Sequence, residues 1–102
     1  MMKKFDDLVF EPHMTGDGVA SKMFFPNGYG ISVVRFKIGN RYGSYTNDNE
    51  WEVAILLGND QDWDLCYDTG ITNDVIGHLT DDDVTEIMEQ IQKLPMDDYK
   101  LN

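Results

Sequence analysis

Apolar positions along this chain follow two periods, a strand-like one as far as Tyr67 and a helical one beyond Leu79. Val19-Ala20-Ser21-Lys22-Met23-Phe24-Phe25 is rich in strand formers and comes after the turn-prone Thr15-Gly16-Asp17-Gly18. Pro26-Asn27-Gly28 supplies a turn, because Pro presets φ and Gly accepts a positive φ. The run Tyr29 to Ile38 then reads as a second strand, hairpin-paired with the first. Trp51 to Leu57 alternates, with Trp51, Val53, Ile55 and Leu57 on one face and Glu52, Ala54 and Leu56 on the other. After Gly58-Asn59-Asp60 a fourth strand is expected to pack through Trp63, Leu65 and Tyr67, leaving Asp62, Asp64, Cys66 and Asp68 in water. A short strand around Leu8-Val9-Phe10 precedes these. Trp51, Trp63, Tyr67, Phe24 and Phe36 are expected in the core.

Val84, Ile87, Met88, Ile91 and Leu94 recur at three- and four-residue spacing and predict an amphipathic helix. Thr80 is placed to cap it, with Asp83 reaching back as in a capping box and Leu79 stapled to Val84. Pro95 ends it. Upstream, Thr72-Asn73-Asp74-Val75-Ile76-Gly77 is expected to make one short turn. The expected architecture is α+β: an antiparallel meander of four to five strands with one C-terminal amphipathic helix packed on one face. With 102 residues this is one domain, residues 1–102, with an ordered core over about 5–94 and a tail at 95–102. A hydrophobic share of 41% argues against a disordered chain.

Charge changes the picture. Eight basic residues stand against nineteen acidic ones, a net −11, and they are unevenly placed. Residues 1–45 hold six basic and four acidic groups, whereas residues 46–102 hold Lys93 and Lys100 against fifteen acids. Between Tyr45 and Lys93 there is no Lys or Arg. Direct binding to nucleic acid or to an anionic membrane is therefore not expected, since both need clustered Lys and Arg. No apolar run approaches the length of a membrane span. The start, Met1-Met2-Lys3-Lys4-Phe5-Asp6-Asp7, turns acidic before any apolar stretch and does not read as a secretory signal. One cysteine, Cys66, leaves no internal disulfide and no cysteine-built zinc site.

Candidate chemistry is sparse. Asp60-x-Asp62-x-Asp64 begins like a calcium loop but has Leu65 where the loop needs Gly and Ile71 where it needs Glu. His13 and His78 lie far apart in sequence, and neither stands in a hydrolytic motif with Cys66 or a serine. Gly16-x-Gly18 and Gly28-x-Gly30 neither open a helix nor carry a basic residue for phosphate. No catalysis, cofactor or metal is expected. The remaining candidates are contact residues. Asp62 and Asp64 on the fourth strand, with Asp81, Asp82 and Asp83 at the start of the helix, could form a row of negative charge facing a basic partner, and Asp60 in the preceding turn and Glu86 on the helix are further contact candidates. Acids in a helix's first turn also complement its dipole, so the two roles coexist. Tyr42 and Tyr45 beside Arg41, in the polar stretch Gly39–Glu50, have the composition of an interface hot spot; covering a sheet edge is the alternative.

Two stretches carry a resemblance. Phe24-Phe25-Pro26-Asn27-Gly28-Tyr29-Gly30-Ile31-Ser32-Val33-Val34-Arg35 is one, and Leu65-Cys66-Tyr67-Asp68-Thr69 with Ile71-Thr72, Asp74-Val75-Ile76-Gly77 and Leu79-Thr80 is the other. In spacing and order they resemble small, acidic, uncharacterised proteins encoded by tailed bacteriophages and prophages. The resemblance covers most of residues 5–94 and rests on turn and core residues, so it implies a phage origin and carries over no site residue. The expectation is a cytoplasmic protein, acting in a bacterial host, whose acidic half docks on a basic host protein, in the narrower form as a nucleic-acid mimic that inhibits a defence or DNA-handling system. The alternative is a non-enzymatic, homo-oligomeric structural or accessory phage protein, assembled through its edge strands.

Overall fold

The computed structural model describes residues 2–12, 17–38, 41–42, 50–66, 69, 71 and 76–95, with the side chains of 17, 36–38 and 41–42 left aside. Among the described residues, seven strands make one antiparallel sheet: β1 (Glu11–Pro12), β2 (Asp17–Phe24), β3 (Tyr29–Ile38), β4 (Arg41–Tyr42), β5 (Trp51–Asn59), β6 (Asp62–Leu65) and β7 (Ile76–Leu79). A helix, α1 (Asp81–Gln92), comes after them. The strand order is β1-β2-β3-β5-β6, with β4 paired to β3 and β7 paired to β5. The α+β class and the meander order match the expectation from patterning.

The long hairpin β2–β3 keeps an unbroken register from Asp17 opposite Lys37 to Phe24 opposite Gly30. Its turn is closed by Gly28 at φ 89°, the left-handed region that suits glycine. β5 pairs with β3 from Tyr29 opposite Leu57 to Val34 opposite Glu52. Directly opposed residues in antiparallel strands share a face. One face therefore carries Ser21, Val33 and Val53, then Met23, Ile31 and Ile55; the other carries Lys22, Ser32 and Ala54, then Phe24, Gly30 and Leu56.

α1 covers the first of these faces. Its apolar stripe, Val84, Ile87, Met88 and Ile91, is buried against Ile31, Val33, Val53 and Ile55. Each such side chain stabilises the fold by about 1.5–3 kcal/mol relative to exposure. The capping box forms as its residues predict: the Asp83 amide donates to Thr80 Oγ1 at 3.2 Å and the Thr80 amide to Asp83 Oδ2 at 2.9 Å. At the other end, Asn27 Nδ2 donates to the carbonyls of Ile91 and Leu94, at 2.9 and 3.2 Å. The β2–β3 turn thus satisfies carbonyls that a helix leaves open at its C-terminus.

The N-terminal segment is tied to the helix. Gln92 accepts from the Lys3 amide and donates to the Lys3 carbonyl, both at 2.8 Å, much as a paired strand would. The Phe5 amide donates to Thr85 Oγ1 at 3.0 Å. A single turn of 3-10 helix at Phe5–Asp7 then delivers Leu8 into the core and Phe5 and Phe10 against Trp51.

Four expectations change. The first strand falls at Glu11–Pro12 and not at Leu8–Phe10, where Leu8 is buried as a core plug. The polar stretch Gly39–Glu50, expected as a loop, contains β4, whose Arg41 pairs with Ile38 of β3. Ile76 and Gly77 belong to β7, a strand beside the first half of β5. Finally, β6 faces the opposite way. Leu65 stands opposite Leu56 and Trp63 opposite Gly58, on the face that α1 does not cover. Trp63 and Leu65 are 37% and 45% exposed, while Cys66 is buried in the core beside Ile55. Alternation separates the two sets of side chains; the docking of the helix decides which set is covered.

Candidate functional site

The acidic candidates lie mostly on the helix side of the sheet. Asp64 is opposite Leu57 and Asp62 opposite Asn59, so both project to the side on which α1 sits, and both are exposed. Asp60 is exposed in the β5–β6 turn. Asp81, Asp82 and Asp83 form the first turn of α1, at the other end of β5, where Trp51 Nε1 donates to Asp81 Oδ1 at 2.7 Å. Trp51 and Leu57 are six residues apart on β5, about 20 Å at ~3.3 Å per residue. The two aspartate groups do not touch to form the expected row.

The helix bridges that gap. Its N-terminus is held at Trp51 and its C-terminus at Asn27, beside the Tyr29–Leu57 pair, so it runs from one acidic group toward the other. Asp82, Glu86 and Glu89 are exposed at i, i+4 and i+7, one stripe along its outer side. They extend about 10 Å over seven residues at ~1.5 Å per residue. Glu89 was not among the sequence candidates; its three-residue spacing from Glu86 was the signal. The next base is Lys93, at the C-cap. Seven described acids (Asp62, Asp64, Asp81, Asp82, Asp83, Glu86 and Glu89) thus share the helix side. Tyr42 is placed by its backbone in β4, and Tyr45 lies outside the described residues.

A concavity of about 540 Å³ opens at the helix N-terminus, lined by Phe5, Arg35, Trp51, Thr80, Asp81 and Asp82. The Arg35 guanidinium sits 4.3 Å from the Trp51 ring centroid, and Phe10 stacks on the same ring at 4.8 Å. The arrangement orients Trp51 and the first helical turn and contains no nucleophile–base pair. A second concavity, about 520 Å³, lies on the uncovered face between Val9, Glu11, Pro12, Lys22, Val34 and Trp63. There Lys22 Nζ sits 4.6 Å from the Trp63 ring centroid.

His78 is exposed, and its Nδ1 is 3.0 Å from Glu50 Oε1. It adopts φ 58° where the β5–β7 register slips between Trp51 and Val53, which marks a β-bulge. His13 lies outside the described residues, and Cys66 is buried. Among the described residues no three His, Cys, Asp or Glu side chains converge as a metal site, and no helix is long and apolar enough to cross a membrane. No family model matches the chain, and no curated protein or solved structure matches it.

Proposed function

We propose that this chain is a non-enzymatic, phage-type interaction protein of the bacterial cytoplasm that docks the helix side of its fold on a basic surface of a host protein. The observation that carries the reading is the stripe Asp82, Glu86 and Glu89 on the exposed side of α1. Folding does not call for it. Like charges at i and i+4 destabilise a helix by about 0.2–0.5 kcal/mol, and the dipole compensates only acids of the first turn. A helix that keeps Glu86 and Glu89 unaccompanied by Lys or Arg until Lys93 concentrates one sign of charge where a basic partner would be steered to it. Mimicry of nucleic acid is the narrower form: acids four apart on a helix rise by about 6 Å, a spacing suited to a groove that binds phosphates.

The test is a tagged pull-down from nuclease-treated bacterial lysate, washed across a salt series and read by mass spectrometry. The wild-type chain should capture a basic nucleic-acid-handling protein that elutes as salt rises. The triple variant Asp82→Asn, Glu86→Gln, Glu89→Gln should bind that protein about tenfold or more weakly, a loss of ~1.4 kcal/mol, with a flatter salt dependence. Competition by DNA would mark mimicry. Equal capture by the triple variant at every salt concentration would sink the reading.

A further inference from the structure

Among the described residues the second face of the sheet has no helix over it and is only partly covered. Of the four large apolar side chains exposed among those residues, Trp63 (37%) and Leu65 (45%) stand on this face, and Val9 (75%) lines its concavity. Leu56, on the same face and opposite Leu65, is fully buried outside the helix-side core, so the chain itself covers that part of the face. The charges of this face differ from those of the helix side. The register places Glu11, Lys22 and Glu52 here, against seven acids with Arg35 and Lys93 on the other side. Lys22 is held over Trp63, and Glu11 lies on the rim of the same concavity.

We propose that this face is where a second copy of the chain docks, sheet against sheet, around Trp63 and Leu65. A twofold contact requires a self-complementary patch, and a face bearing both Lys22 and Glu11 among apolar side chains meets that requirement. The same geometry resolves the electrostatic difficulty of bringing together two chains of net −11. Face-to-face sheets pack about 10 Å apart, and both acidic helices then lie on the outside, separated by more than the Debye length of ~8 Å at physiological salt. A basic partner is drawn instead to the helix side, and a strongly acidic one is repelled by the whole molecule. The association is distinct from acid-driven docking and has the opposite salt dependence.

Sedimentation equilibrium from micromolar to millimolar protein, at low and high salt, tests this. The wild-type chain should dimerise, more tightly at high salt, where residual repulsion is screened. Leu65→Glu and Val9→Glu alter exposed positions that the monomer does not use for its core, and circular dichroism should show both folded. Each should raise the dimer dissociation constant about tenfold or more, because each buries an unpaired charge in the contact. Glu86→Gln, on the far side, should leave the constant unchanged. A monomer at every concentration and salt overturns the proposal, and so does a dimer that tolerates both Leu65→Glu and Val9→Glu.

Discussion

Gly58 sits in β5 at φ 130°, a conformation open to glycine, and its amide donates to the Gly28 carbonyl at 2.8 Å. A Cβ added there would run into the Asp62 carbonyl oxygen and press on Trp63 Cα at 3.0 Å. Backbone atoms of a paired strand cannot step aside as a flexible side chain can. Gly58→Ala should therefore lower the unfolding free energy by about 1–3 kcal/mol, read as a fall in the urea midpoint; an unchanged midpoint would mean that β6 can shift away. Ser21 presents the converse case. It is 4% exposed among apolar neighbours, and its hydroxyl has no hydrogen-bond partner among the described residues. An unsatisfied buried hydroxyl costs about 1–3 kcal/mol, so Ser21→Ala should raise stability by roughly 1 kcal/mol. Loss of stability in the same urea experiment would instead reveal a partner for the oxygen.

The helix was the most legible of the elements, because cap, staple and stripe all agree between Leu79 and Leu94. The hairpin β2–β3 was legible through Pro26-Asn27-Gly28, although nothing local says that Asn27 also serves the C-terminus of α1, which lies 64 residues away. β7 is four residues long, contains Gly77 and carries the bulge at His78, so its existence depends on Trp51 and Val53 across the ladder and not on its own pattern. β6 shows the limit of alternation: Trp63 and Leu65 look like core residues until the register sets Leu65 against Leu56 on the uncovered face. The acidic residues were legible as candidates, but their sharing of one side depends on that same register. At this scale α1 separates stability from binding. Glu86→Lys sets opposite charges at i−4 (Asp82) and i+3 (Glu89) and should stabilise the chain by about 0.2–0.5 kcal/mol per pair, raising its melting temperature, while weakening capture of a basic partner. A variant that both melts higher and binds equally well would show that the stripe is not the contact.

The whole molecule carries its charge asymmetrically, with seven described acids against Arg35 and Lys93 on the helix side of a sheet whose other face holds two acids and Lys22. Such a distribution repels itself in the compact state. Screening should relieve that repulsion. The melting temperature should climb as sodium chloride is raised through the range where the Debye length falls from ~10 Å toward ~3 Å, and potassium chloride should act equally. A melting temperature indifferent to salt would place the acids too far apart to interact.

The clasp between Gln92 and Lys3 joins residues 89 positions apart, and its consequence lies in the order of synthesis. The strands from Asp17 to Leu65 are synthesised before the helix that covers them, so Ile31, Val33, Val53 and Ile55 lack that cover at least until residue 92 has been added. At ~5–20 residues per second that interval lasts a few seconds.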